Sequence, residues 1–350
     1  MLLATVTKHI LIFKQASGTS RGVLHQKPSW FFKIFDDKNP QTFGLGECSI
    51  IPGLSPDDSS NLEPFIQKVS KNINAYIDDK NALLRFPSVQ FAIETALLDL
   101  GNNGHKLLYP STFTEGKDSI KINGLIWMGS KEFMRKQIRE KIEEGYKCIK
   151  LKIGSLNFEE EISFLKEIRI QFRPEVIELR LDANGAFHPA NALEKLKRLS
   201  EFQIHSIEQP IKVGQIEKMA NLCVQTPIPI AIDEELIGIN KPATKHKLLA
   251  EIKPQYIILK PSLLGGFDKS SEWIKIATEN QIGWWVTSAL ESNIGLNAIA
   301  QWTYQLNNPM PQGIGTGKLF SNNIPSPLQI KDAKLFYLPE KNWNLNQIIR

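Results

Sequence analysis

The sequence predicts an α/β chain: a modified TIM barrel, (β/α)7β, preceded by an α+β capping domain. Two observations carry that expectation. Along residues 120–317 short apolar segments recur, each followed by a helical stretch, with polar residues gathered at their C-terminal ends. Residues 1–100 follow another plan, with alternating strands first and helices after them. A repeated βα unit is the pattern of a barrel, and strands followed by helices mark an α+β unit.

In the first part, ATVTKHILIFKQ and WFFKIFDD alternate as antiparallel strands around a Gly/Ser-rich loop at 16–22. A Gly/Pro-rich stretch at 44–56 reads as a second loop. Helices are expected over 62–79 and 87–100, where PSVQFAIETALLDL sets apolar residues at helical spacing behind Pro-Ser. Barrel strands are expected at 120–127, 147–153, 177–183, 204–210, 228–234, 256–262, 283–289 and 311–317. Their starts are separated by 27, 30, 27, 24, 28, 27 and 28 residues, one βα unit repeated. A doubly wound sheet also alternates, but no Gly-rich phosphate turn follows the first strand. The expected division is a cap at 1–116, a barrel at 117–317 and a tail at 318–350 that returns to the cap.

Composition narrows the function. Of 350 residues, 42% are apolar and 23% charged, as in ordinary soluble proteins. The net charge of +5 is mild and its basic residues are scattered, which argues against a nucleic-acid partner and leaves room for an anionic small substrate. Cys48, Cys148 and Cys223 are widely spaced with no CxxC, which speaks against a disulfide framework or structural zinc. The opening MLLATVTKHILIFK lacks a signal-peptide pattern, and no apolar run is long enough to span a membrane. A cytoplasmic enzyme is expected, with a small-molecule carboxylate as partner, no membrane partner and a homo-oligomer left open.

Barrel chemistry sits at the C-terminal strand ends. Those ends carry Lys150 and Lys152, Asp182 and Asn184, Glu208, Asp233 with Glu234, and Lys260. Singly, an acidic strand end is an ordinary helix cap or loop salt bridge, and a lysine there is ordinarily solvated. Charges in otherwise apolar strands are costly unless paired or metal-bound, so their accumulation at one end points to a site. Asp182, Glu208 and Asp233 fall on consecutive strands. Converging, they would carry about −3 and call for a cation; all-oxygen ligation selects Mg²⁺ before Mn²⁺. Asn184 shares a face with Asp182 and is expected to orient a ligand or touch the metal; Glu234 is expected to support the ligands from behind.

Lys150 and Lys152 project from one strand face, roughly 7 Å apart. Lys260 lies beyond the carboxylate strands and would approach a substrate from the opposite side. A lysine at its ordinary pKa is a poor base at neutral pH. A second ammonium ~7 Å away costs about 2.4 kcal/mol at an effective dielectric of ~20, nearly two pKa units. Burial and a divalent cation push the same way. The expectation is a lysine lowered into the range of a general base, taking the proton next to a substrate carboxylate whose new charge a metal stabilises.

In order and spacing, KLK at 150–152, LDANGAF at 181–187, IEQP at 207–210, IDE at 232–234 and LKPSLLGG at 259–266 resemble the strand motifs of the enolase superfamily, of the muconate-lactonizing-like Lys-x-Lys type. The resemblance covers nearly the whole chain and implies Mg²⁺ ligation by Asp182, Glu208 and Asp233. SGTSRG (17–22), GLGECSIIPGLSPD (44–57), INGLIW (122–127), TSALESNIG (287–295) and GIGTGKLF (313–320) resemble, within it, the o-succinylbenzoate synthase family of menaquinone biosynthesis. This implies a carbon–oxygen lyase that dehydrates 2-succinyl-6-hydroxy-2,4-cyclohexadiene-1-carboxylate to o-succinylbenzoate. Lys152 would then be the base and protonate the leaving hydroxyl, Lys260 would face the ring as an ammonium, and Lys150 would tune Lys152. Arg21 is expected to meet the succinyl carboxylate, with Ser262, Gly265 and Ser288 as further substrate contacts and Trp127 against the ring. Each of these also has an ordinary reading as a loop or core residue.

Rival readings use the same residues. An N-acylamino acid racemase or dipeptide epimerase would exchange protons between Lys152 and Lys260 on opposite faces. Dipeptide epimerases carry Asp-x-Asp on the eighth strand, where this chain has GIGTG. Mandelate-racemase-like chemistry would place a His near the end of the seventh strand, and WWVTSAL has none. A Schiff-base barrel would leave the three carboxylates unexplained, and an inactive scaffold would carry their desolvation cost for nothing.

Overall fold

The computed structural model describes residues 1–19, 22–127, 129–154 and 157–349. The chain opens with an antiparallel sheet in the order β1 (Leu2–Thr19), β2 (Gly22–Asp36) and β3 (Asn39–Ser49). β3 replaces the first part of the loop expected at 44–56. Its glycines meet a close approach, because a Cβ on Gly44 or Gly46 would fall 1.8 Å from the Ala96 carbonyl oxygen or 1.9 Å from that of Ala92. The expected helix at 62–79 is two helices, α1 (Leu62–Lys71) and α2 (Ile73–Asp78), broken at Asn72. The helix α3 (Pro87–Gly101) matches expectation. It is apolar nearly all round because it is covered on two sides. Val89, Ala92, Ile93 and Ala96 join the core under the cap sheet, while Phe91 joins the barrel core.

The strand expected at 120–127 is split. β4 (Ser119–Lys121) pairs away from the barrel, and β5 (Gly124–Ile126) begins it. Then follow α4 (Lys131–Glu143), β6 (Cys148–Lys152), α5 (Phe158–Gln171), β7 (Glu178–Asp182), α6 (Pro189–Ser200), β8 (Ser206–Glu208) and α7 (Ile216–Gln225). β9 (Ile230–Ile232), α8 (Pro242–Ile252), β10 (Tyr256–Leu259), the one-turn α9 (Pro261–Leu264), α10 (Phe267–Glu279), β11 (Gly283–Val286) and α11 (Asn293–Gln305) complete the winding. β5 to β11 form one seven-stranded parallel sheet in chain order.

The eighth expected strand survives only as single bridges, Gln312 to Ile122 and Gly313 to Thr287, which join the two sheet edges. Here too a glycine marks a tight contact: a Cβ on Gly313 would sit 2.2 Å from Thr287 Oγ1. The chain then folds back. The hairpin β12 (Leu328–Lys331) and β13 (Lys334–Tyr337) pairs with β4, and Ile324 and Ile348 pack with Phe31 and Leu45 of the cap. Among the described residues, no helix is long and apolar enough to cross a membrane.

Strand alternation fixes what faces inward. Ile149, Leu151, Leu179, Leu181 and Ile207 are at most 1% exposed within the main barrel core. Each contributes about 1.5–3 kcal/mol by burial, which holds the intervening polar residues toward the barrel interior.

Candidate active site

The alternation that buries those aliphatic residues turns Lys150 and Lys152 of β6, Asp182 of β7 and Glu208 of β8 to the opposite face, with Asp233 and Lys260 just beyond β9 and β10. Their side chains form one chain of alternating charge. Lys152 Nζ donates to Asp182 Oδ2 at 2.9 Å and to Asn184 Oδ1 at 2.7 Å. Lys150 Nζ lies 3.3 Å from the same Asp182 oxygen and donates to Glu208 Oε2 at 2.7 Å. Lys260 Nζ pairs with Asp233 and sits 3.8 Å from Glu208 Oε1. The expected residues therefore do come together. Asp182, Glu208 and Asp233 are 1–2% exposed, and the three lysine side chains 12%.

The support behind this chain is also in place. Asn184, at φ +42°, accepts from Lys152, donates its own N–H to Asp182 at 3.1 Å and donates Nδ2 to Glu234 at 3.1 Å. Glu234 thus orients Asn184 from behind. Below the site, Arg180 stacks its guanidinium 4.5 Å from the Trp285 ring and donates to Glu178 at 2.8 Å and to the Pro311 carbonyl at 3.0 Å, plugging the barrel.

Two expectations about charge change. The three carboxylates do not stand as a bare triple anion, since the amines of Lys150, Lys152 and Lys260 lie between them. Among the described residues, no group of three His, Cys, Asp or Glu side chains is gathered tightly enough to hold an ion as it stands. On balance, Lys150 and Lys260 are not lowered. Burial lowers Lys150 and Lys260, but the carboxylates outweigh it, Glu208 and Asp182 for Lys150 and Asp233 and Glu208 for Lys260, so both are raised. Burial likewise pushes Asp182 up, and Lys152, Lys150 and Lys260 reverse this, leaving it below the usual carboxylate range. Each lysine is paired directly with a carboxylate, and for Lys150 that attraction outweighs the repulsion from Lys260.

The lysines open into a cavity of about 290 Å³. Lys150, Lys152, Asp182, Asn184 and Lys260 line its charged side. Leu125, Trp127, Ile51 and Leu54 form apolar walls, and Ser288, Leu290 and Thr316 another. Trp127 is held through its backbone, its N–H donating to Gln137 at 2.9 Å and its carbonyl accepting from Gln137 at 3.0 Å.

The expected substrate contacts fare unevenly. Ser288 lines the cavity, but its hydroxyl donates to Glu291 at 2.5 Å and accepts from Thr316 at 2.8 Å and from the Leu290 N–H at 3.0 Å. Ser262 is fully buried, off the cavity lining, and donates to Glu291. Gly265, at φ +91°, faces Gln90 of α3 rather than the cavity. Arg21 lies outside the described residues. Ile51, Leu54, Leu290 and Thr316 are not singled out individually by sequence, although each lies in a stretch (44–57, 287–295 or 313–320) that carries the family resemblance.

The comparisons agree with this architecture. Residues 133–341 match the family model described as enolase C-terminal domain-like. The chain is 47% identical to an o-succinylbenzoate synthase from Desulfotalea psychrophila, over 93% of this chain and 96% of that protein. It is 26% identical to an N-succinyl-L-Arg/Lys racemase from Bacillus cereus, over 73% of this chain and 67% of that protein. The crystal structure of MenC from Desulfotalea psychrophila superposes with a TM-score of 0.84 at 43% identity, covering 96% of this chain and 99% of that one. A dipeptide epimerase from Enterococcus faecalis, solved in complex with Mg and the dipeptide L-Leu-L-Tyr, has the same fold at a TM-score of 0.79 and 22% identity, covering 96% of each chain. The chain belongs to the enolase superfamily and, within it, to the o-succinylbenzoate synthase family.

Proposed function

We propose that the chain is an o-succinylbenzoate synthase of menaquinone biosynthesis, a lyase that removes water from 2-succinyl-6-hydroxy-2,4-cyclohexadiene-1-carboxylate. The observation that carries the reading is the alternating lysine–carboxylate chain opening into a cavity, in a protein 47% identical to such an enzyme over 93% of its length. The reading takes residues 1–116 as the cap, 117–317 as the barrel and 318–350 as the returning tail.

Lys152 is the base. It stands at the cavity surface with its amine oriented by Asn184 and Asp182, so the nitrogen is aimed before substrate arrives. It takes the proton on the carbon next to the ring carboxylate. The same amine returns a proton to the hydroxyl leaving from that face. One C–H and one C–O bond break, the ring gains a double bond and becomes aromatic, and water departs. Lys260, held as an ammonium by Asp233 and Glu208, faces the ring from the other side and stabilises the negative charge that develops. Lys150 shares the Asp182 oxygen with Lys152, and so couples the base to Glu208.

The donor set fits magnesium. Asp182, Glu208 and Asp233 offer only carboxylate oxygens, and Glu208 Oε1 is buried without a hydrogen-bond partner. Those three residues would hold Mg²⁺, which when bound supplies positive charge to the substrate carboxylate. Racemisation of an N-succinylamino acid is the less favoured reading, supported only by distant relatives such as the one 26% identical.

The test is direct. Purified enzyme with Mg²⁺ should convert the cyclohexadiene substrate to an aromatic product, followed by its absorbance. Failure to convert it, with racemisation of N-succinylarginine instead, would overturn the assignment.

A further inference from the structure

Cap and barrel meet at a second cluster of buried charge. Lys27 of β2, Glu47 of β3 and Glu291 in the loop after β11 are each 0% exposed. Lys27 Nζ donates to the Ser49 hydroxyl and, at 3.0 Å, to the Leu290 carbonyl. Glu47 accepts from the Ser29 hydroxyl at 2.8 Å, from the Ser292 N–H and hydroxyl at 2.9 and 2.5 Å, and from the Gly295 N–H at 2.9 Å. Glu291 accepts from Ser262, from Ser288 at 2.5 Å and from the Ala289 N–H at 2.9 Å. Burial pulls the Lys27 pKa down while Glu47 and Glu291 oppose it, and burial pushes that of Glu291 up against the hydrogen bonds of Ser262 and Ser288.

The cluster ends on a strained residue. Leu290 has φ +64°, a left-handed conformation that a leucine seldom adopts and has no polar side chain to support. Both of its backbone polar groups are held, the N–H by Ser288 at 3.0 Å and the carbonyl by Lys27 at 3.0 Å. Its side chain lines the substrate cavity and packs in one cluster with Leu11, Phe13 and Phe320. Such strain persists only where the surroundings over-determine it, and it collects at functional sites.

We propose that Lys27 is a positioning residue that pins the Leu290 carbonyl and thereby shapes the cavity wall of Ser288, Leu290 and Thr316. The cap strand thereby joins Glu291, Ser288 and Thr316 of the barrel in setting the geometry of that wall. Lys27 governs how well the substrate fits and leaves the proton chemistry at Lys152 alone. This rests on the cavity being the substrate site.

The experiment uses the full-length enzyme with Mg²⁺ in three variants, Lys27→Met, Lys27→Arg and Glu291→Gln. Lys27→Met should raise KM for the cyclohexadiene substrate by at least about tenfold with kcat changed less than about threefold. Hydrogen exchange in peptides covering 287–295 should quicken by about tenfold, while peptides covering 178–187 stay unchanged. Lys27→Arg, which keeps the cation, should recover part of the KM. An unchanged KM, or a loss of kcat in step with faster exchange throughout the chain, would overturn the proposal. Should Lys27→Met fail to fold, Glu291→Gln and Lys27→Arg decide by the same two readouts. The exchange arm needs no turnover, so failure of wild-type enzyme to convert the diene would count against the assigned function and leave the role of Lys27 still measurable.

Discussion

The protein holds two clusters of buried charge, and they are built on opposite principles. At the cap–barrel contact, Glu47 and Glu291 take their hydrogen bonds from serine hydroxyls and backbone amides, and Lys27 is sealed from solvent. At the strand ends, lysines bridge carboxylates but remain 12% exposed to a cavity, and Glu208 Oε1 has no hydrogen bond. A buried charge whose partners are all protein groups can only hold a shape. One that faces a cavity with bonding capacity left over can act on a ligand. The desolvation cost is similar in both, so satisfaction rather than burial separates scaffold from chemistry.

Substitutions can break or sharpen that contrast. The largest effect is expected at Lys152: Lys152→Ala should lower kcat by about 10³-fold while circular dichroism and the urea midpoint stay near wild type. Retained turnover would remove it as the base. Next, Asp182→Asn should weaken Mg²⁺ binding by at least about tenfold, read by calorimetric titration, and chelation should abolish wild-type activity until Mg²⁺ is restored. In the closed cluster the readout changes from rate to stability. Glu47→Ala should cost about 3 kcal/mol in urea unfolding, because it leaves Lys27 buried with less countercharge and strips four donors of their acceptor. A loss below about 1 kcal/mol would show that the cluster relaxes easily. The smallest effect concerns the thiols. Burial pushes Cys223 up to about 12 and raises Cys48 and Cys148 as well, so native protein should react with Ellman's reagent only after denaturation.

Much of the reacting set was legible because a charged residue in an apolar strand is conspicuous. Lys150, Lys152, Asp182, Glu208, Asp233 and Lys260 all stand at strand ends in the sequence and meet in space. Their electrostatics were less legible, since periodicity shows which face a lysine shares but not which carboxylate lies nearer. β3 was hidden by Gly44 and Gly46, whose reason is the backbone of α3, packed so close that a Cβ would strike it, rather than a turn. The closing strand is reduced to bridges at Gln312 and Gly313, and the contact with Thr287 explains only why a glycine stands at 313. Lys27 gave no signal, and Glu47 and Glu291, though inside the resembling stretches 44–57 and 287–295, gave none of their pairing. The Glu47–Ser292 hydrogen bond spans 245 residues, and no local pattern encodes a partner that distant.

The returning tail has a consequence for how the molecule is made. Phe31 and Leu45 emerge early in synthesis, yet Ile324 and Ile348, which cover them, come about three hundred residues later. Ile12 waits equally long for Asn322, 310 positions away, to accept its N–H. The first sheet must therefore leave the ribosome with one face uncovered, exposed to chaperones or to sticking, until residues 324–348 have been made. Deleting residues 324–349 should yield a chain that is synthesised but aggregates, with its catalytic lysines intact.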